Sequence, residues 1–403
     1  MTSCIFQPAD ILLPADADMT KWSVIACDQF TSDSRYWQQA EALVGEAPST
    51  LRLMLPEYYL GKCDEALRAA QIQAAMCDYL ESGVFRTLPH SFVYVERTLP
   101  GGEIRRGLVG QIDLEAYDFA PDSQSPVRAT EGTVESRLPP RVQVRADAAL
   151  EMPHIMLFCD DAEDSVMAYA SDLSEETLYD FDLMLGGGHI TGRLIQNENA
   201  DKLAQLLAKK TSSRSLQFAV GDGNHSLAAA RQLWVKIKEH LTPAQQAVSP
   251  ARYALAELVN IHDASIVFEP IHRVLFHTDA ASFLESASRA LGSAPSSYGI
   301  TILSEGTEHT IPVEGATVGA VIERTEAFCK QYITEHGGEI DYIHGEPETR
   351  FLASGQNAVG ILLPTPEKAE LFSSVECSGP FPRKSFSIGL GPDKRYYLEC
   401  RKL

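Results

Sequence analysis

The 403-residue chain is short of positive charge: 34 Lys and Arg stand against 55 Asp and Glu, a formal net charge of −21. A surface of that sign repels nucleic-acid phosphates and anionic lipid, so no nucleic-acid partner is expected. Long apolar runs are missing too. No stretch approaches the roughly 18 consecutive apolar residues needed to span a bilayer, so no membrane partner is expected either. The first twenty residues contain no Lys or Arg and no sustained apolar stretch, so no secretory leader is read and a cytoplasmic location follows. The eight cysteines are scattered, with no Cys-x-x-Cys pair, which argues against a disulfide framework or a zinc site. No His-Glu-x-x-His, Walker loop, Gly-x-Ser-x-Gly or dinucleotide fingerprint is present, and no metal ligand set is read.

What is there describes a globular protein with a sizeable core: 44% hydrophobic and 8% aromatic residues. Helical spacing marks 33–45, 64–82, 199–210, 279–291 and 319–336. Strand patterns mark 51–55, 153–158, 252–260, 265–275, 340–343, 358–363 and 395–401. Residues 92–99 and 104–114 flank Pro100-Gly101-Gly102, a hairpin signal. A Gly/Pro/Ser-rich passage lies near 292–298. Helices and strands interleave, so the class is mixed α/β (α+β). The length fits two parts, placed at 1–275, carrying the site, and 276–403, smaller and α+β.

One stretch asks for chemistry: Ala219-Val220-Gly221-Asp222-Gly223-Asn224-His225-Ser226-Leu227. An apolar run stops at Gly221, and a helix with Leu227, Ala230, Leu233, Trp234 and Ile237 on one face follows to about His240. A helix start has unpaired N–H groups and a partial positive charge, and glycines let phosphate approach it. Gly221, Gly223, Asn224 and Ser226 are therefore candidate phosphate or nucleotide ligands, with Asp222 and His225 as candidate catalytic groups. Equally open is plain capping by Asp222, Asn224 or Ser226.

A second patch runs Arg128-Ala129-Thr130-Glu131-Gly132-Thr133, followed by Arg137, Arg141 and Arg145. Arginine forks match phosphate or carboxylate, so Arg137 and Arg141 are candidates for anion binding, or else for surface ion pairs. Glu131 is a candidate base or metal ligand, and Arg128 and Thr133 candidate substrate contacts. Gly186-Gly187-Gly188-His189 offers close backbone approach or an ordinary turn, with His189 as the candidate contact. In Glu269-Pro270-Ile271-His272-Arg273, His272 and Arg273 alternate faces, and either one reaches a pocket or both belong to a core or edge pair.

Blocks such as "STLRLMLPE", "RATEGTVESRLPPRVQVR", "FAVGDGNHSLAAA", "FEPIHRV" and "PRKSFSIGLG…KRYYLECRKL" are spread over most of the chain. In them the sequence resembles the family known as domain of unknown function 1015. Many relatives carry Asp-Gly-His-His-Arg where this chain has Asp222-Gly223-Asn224-His225-Ser226. That turn is similar to the phosphate-holding turn of the ParB/sulfiredoxin-like fold, which includes an ADP-dependent free-serine kinase. The resemblance implies a ParB/sulfiredoxin-like strand–Gly-loop–helix site within the larger two-part chain. It also implies a serine or phosphoserine substrate. Ser226 stands where the relatives' Arg would be, so Arg137, Arg141 or Arg145 is expected to supply the charge. The combined expectation is a nucleotide-dependent phosphotransferase acting on a small hydroxy-amino acid, with Mg²⁺ accompanying the nucleotide. The alternative is a non-catalytic regulatory protein that binds a nucleotide or amino acid. A sulfiredoxin-like repair activity is disfavoured because the 221–226 turn contains no Cys.

Overall fold

The computed structural model describes residues 4–152, 154–292 and 296–403, without the side chains of Arg137 and Pro140. Position 153 of the expected 153–158 strand, residues 293–295 of the Gly/Pro/Ser-rich passage and the Arg137 side chain lie outside the described residues. Apolar alternation on either side of Pro100-Gly101-Gly102 produces the expected hairpin, Phe85–Thr98 against Ile104–Asp113, with Val93 opposite Val109. An eleven-stranded mixed sheet grows from it. Beyond Phe85–Thr98 lie His189–Gln196 and then Thr177–Asp182; beyond Ile104–Asp113 come Tyr253–Asn260, Met156–Cys159, Phe218–Asp222, Val127–Ala129 and Tyr117–Asp118.

The middle strands are buried on both faces and read as unbroken apolar runs for that reason. Side chains alternate along them. Leu157, Phe218 and Val220 pack into one cluster with Leu227 and Trp234 of the helix Asn224–Lys238. Phe158 and Ala219 face the other way, into a cluster shared with a second sheet. That sheet has six strands, all paired antiparallel: Thr307–Pro312, Gly299–Ser304, Ala358–Leu362, Phe268–Phe276 and Glu339–His344 in order, with Phe386–Ile388 on Phe268–Phe276. Position 276 is the last residue of its first strand. The class is mixed α/β.

Two strand expectations are corrected. Residues 51–55 contain a 3-10 turn, Thr50–Arg52, not a strand, because the Ser49 hydroxyl accepts from the Leu51 N–H and closes the chain on itself. The single strand expected at 395–401 is two short ones. Tyr396–Tyr397 pairs with Val24–Ile25, and Arg401–Lys402 with Leu150–Glu151. Between them, Glu399 is drawn into a buried ion pair with Arg395 that a continuous ladder would not allow. Among the described residues no helix is long and apolar enough to cross a membrane.

Candidate functional site

Topology decides which residues meet at the turn. Phe218–Asp222 lies between Val127–Ala129, which runs parallel to it, and Met156–Cys159, which runs antiparallel. A parallel neighbour delivers the residues after its end, and an antiparallel one the residues before its start. Thr130 and Glu131 therefore arrive beside Asp222 from one side, and His154 from the other. The ladder slips between Val220 and Asp222 because Gly221 lies under the Phe158 ring, whose Cε2 would be 2.5 Å from a Cβ there. Gly223 follows at φ +76, with Ile155 Cα 2.9 Å from where a Cβ would stand. Both glycines are fixed by space and conformation.

No side chain caps the helix Asn224–Lys238: its N-cap position is Gly223. The Asp222 carboxylate instead accepts from the Gly223 N–H at 2.8 Å, closing the turn. The capping alternative for Asp222, Asn224 and Ser226 is thus set aside. The first helical turn contains no acidic residue and the last contains Lys236 and Lys238, so nothing in the helix opposes its positive N-terminal end. Asn224 Oδ1 is buried there without a hydrogen-bond partner.

The cation at the turn is Lys394. Antiparallel pairing of Val24–Ile25 with Tyr396–Tyr397 brings Asp28 and Lys394 out side by side. Lys394 Nζ lies 2.7 Å from Asp28 Oδ2 and 3.3 Å from Asp222 Oδ1. His154 Nε2 is 3.7 Å from Asp28, and its Nδ1 is 2.8 Å from the Tyr397 hydroxyl. Burial works against the Asp28 carboxylate, but His154, Lys394 and Arg141 outweigh it and hold it below the usual carboxylate range. Burial also lowers His154, with Asp28 and Asp222 offsetting only part of this, so its imidazole is neutral at pH 7. Lys394 and Arg141 are left as the charges against Asp28. For Lys394 burial opposes the charge, yet Asp222 and Asp28 raise it above the ordinary lysine value, so it stays protonated. One Asp28, one His154 and one Asp222 ligand atom lie within 4.8 Å of one another, a geometry that can hold a cation.

Of these groups Asp222 and Lys394 open on a cleft of about 660 Å³, walled with them by Thr130, Glu131 and Asn224 on one side and by residues 385–391 of the second sheet and its following loop on the other. The Glu131 carboxylate accepts from the Lys384 N–H at 2.6 Å. Burial, with Asp222 nearby, pushes its carboxyl above the ordinary glutamate value despite that bond and the cations Arg383 and Lys394. Two buried arginines hold the loops of the cleft from behind. Arg97 donates to the carbonyls of Gly187, Pro392, Asp393 and Lys394. Arg273 donates to those of Ile271 and Lys384 and pairs with Glu326 at 2.9 Å.

The structure therefore gathers Gly221, Asp222, Asn224 and Glu131 around one cleft, and among the described side chains places His225, Ser226, Arg141, Arg128, Thr133, His189 and His272 outside its lining. His225 Nε2 accepts from the Val134 N–H at 3.3 Å, and its side chain lines neither the cleft nor the smaller chamber behind the turn. Ser226, one helical step further, lines that chamber with Arg141 and Arg145. Arg141 pairs with Glu57 and Arg145 with Glu151. Arg128 reaches Ser123 and Ser215, at the far end of the strand from Asp222. Thr133 Oγ1 is buried without a partner. The 186–188 glycines serve Arg97 through the Gly187 carbonyl, and His189 sits part-exposed between Asp180 and Asp182 of the neighbouring edge strand. His272 is buried, accepting from the Leu363 N–H at 3.1 Å. Asp28, His154 and Lys394 carry no motif of their own. Their only signal was that Lys394 falls in one of the blocks on which the family resemblance rests.

Comparison with solved structures gives distant likenesses on which no argument rests. SbnI with a C-terminal truncation from Staphylococcus aureus is 11% identical, over 70% of this chain and 82% of that one, at TM-score 0.38. A free serine kinase in complex with AMP is 10% identical, over 72% and 90%, at TM-score 0.40. A conserved hypothetical protein from Pyrococcus furiosus is 10% identical, over 71% and 92%, at TM-score 0.36. No curated protein matches the chain. The model of the family described as protein of unknown function (DUF1015) matches residues 7–372, and the chain belongs to that family.

Proposed function

We propose that the cleft is the site of a nucleotide-dependent phosphotransferase acting on a small hydroxy-amino acid of the serine or phosphoserine type. The supporting observation is the helix start at Asn224, uncapped by any side chain, opening on the cleft beside Lys394. Phosphoryl transfer asks mainly for positioning and for positive charge on the phosphoryl oxygens. The helix start and the Lys394 ammonium supply these. Glu131, its carboxyl raised by burial, is the general base. It takes the acceptor hydroxyl proton as the new O–P bond forms, and the bond to the nucleotide's leaving phosphate oxygen breaks.

Two carboxylates surround one ammonium, so a nucleotide's phosphates meet net negative charge unless a divalent cation joins them. The residues fit Mg²⁺. Asp28 and Asp222 offer hard oxygen donors, and Asp28 Oδ1 is buried without a partner. Bound there, Mg²⁺ would neutralise phosphate charge, and Lys394 would be released toward the phosphoryl oxygens.

The test is product formation by the purified full chain with ATP or ADP and serine, and with phosphoserine for the reverse direction, with and without Mg²⁺. Phosphorylated or dephosphorylated amino acid should form in a Mg²⁺-dependent way. Tight nucleotide binding with no turnover on any hydroxyl acceptor would replace this reading with that of a regulatory binding protein.

A further inference from the structure

The 221–226 turn has a second compartment behind it. Asn224 lines the polar cleft, and Ser226, two residues on, lines a separate chamber; Gln29 lines the cleft and Cys27 the chamber. Asp28 and His225 fall between the two in sequence on both segments. The chamber holds about 180 Å³, and its walls are mostly aliphatic and thioether side chains, among them Met54, Met76, Met152 and Val144. Its charged wall groups are matched with one another, Arg141 with Glu57 and Arg145 with Glu151, so it offers a ligand no uncompensated charge. An apolar cavity of roughly 150 Å³ stays dry and takes up one benzene ring. Methionine walls adapt to irregular ring shapes.

We propose that this chamber is a second binding site, for an uncharged, largely apolar flat ring system. Such a ring arrives either as a nucleobase or as the side group of an aromatic metabolite, and the chamber chemistry is common to both. The proposal stands apart from phosphoryl transfer. A polar cleft that proves inert leaves it untouched, and an empty chamber leaves the cleft reading untouched.

The test uses the full chain labelled with ¹³C at its methionine methyls, titrated separately with indole, adenosine and serine. The expected result is saturable shifts of the Met54, Met76 and Met152 methyls with indole, and none with serine. The same shifts with adenosine would assign the ring to a nucleobase; their absence would assign it to a simple aromatic. Ala229→Leu and the more accessible Val144→Phe fill the chamber and should weaken indole binding at least tenfold. If Ala229→Leu does not fold, Val144→Phe decides. No shift at the three methyls, or a folded Val144→Phe protein that binds indole as well as the parent, overturns the proposal.

Discussion

Lys394 Nζ stands between the Asp28 and Asp222 carboxylates, 2.7 and 3.3 Å away. Replacing Lys394 with Gln removes the ammonium and leaves two partly exposed carboxylates facing each other. A double-mutant cycle of Lys394→Gln with Asp28→Asn, read by thermal or denaturant unfolding, should give a coupling on the order of 1 kcal/mol or more. Additive effects would mean that the 2.7 Å contact contributes nothing. His272 gives a pH-dependent counterpart outside the site. Burial pushes it down to about 4 from 6.5, although Glu346 works the other way. The unfolded chain therefore binds an extra proton between those pH values, and stability falls as pH drops through that window. His272→Asn can keep an acceptor for the Leu363 N–H and should flatten the loss of Tm between pH 7 and pH 5. An unchanged pH slope would count against the shift.

At the scale of the element, the strand–turn–helix unit was legible because it is local. Gly221 and Gly223 mark where an apolar run stops and a helix begins, and both strand and helix form there. Which group sits at the N-cap was not legible, since Asp222 turns back to the Gly223 N–H instead of capping. Gly223→Ala forces a Cβ onto φ +76 and against Ile155, so it should cost about 1–3 kcal/mol in unfolding free energy. It should also weaken inorganic phosphate binding at the helix start. An Ala variant as stable as the parent would mean that the turn is not fixed as described. Arg97→Gln releases the carbonyls of residues 392–394. Because the arginine acts through Lys394, the substitution should lower kcat more than it raises KM.

The whole molecule assembles the site from the two ends of the chain and from both sheets, which is why much of it could not be read from the sequence. Asp28 and Lys394 meet only because Val24–Ile25 pairs with Tyr396–Tyr397, a contact that no local pattern announces. Glu131 could be singled out by its neighbours, but its place beside Asp222 depends on parallel pairing of two distant strands. The arginines expected to supply charge were drawn by local density, and long-range ion pairs tie Arg141 to Glu57 and Arg145 to Glu151 in the chamber behind the turn, away from the cleft. Glu131 also joins the two sheets through the Lys384 N–H. If it is the base, the acid limb of turnover should lie above the ordinary glutamate range, and Glu131→Gln should remove the limb together with most of the rate. In the proposed phosphotransferase Lys394 stands beside an open helix start to meet phosphoryl oxygens, and Asp222 would hold Mg²⁺ there. These roles are tested most directly by Mg²⁺-dependent nucleotide turnover with serine and phosphoserine, comparing the parent with Asp222→Asn and Lys394→Gln. The parent should turn over, and each folded variant should lose roughly 10²-fold or more of that rate with a smaller change in nucleotide affinity. Full turnover in both folded variants would contradict these roles.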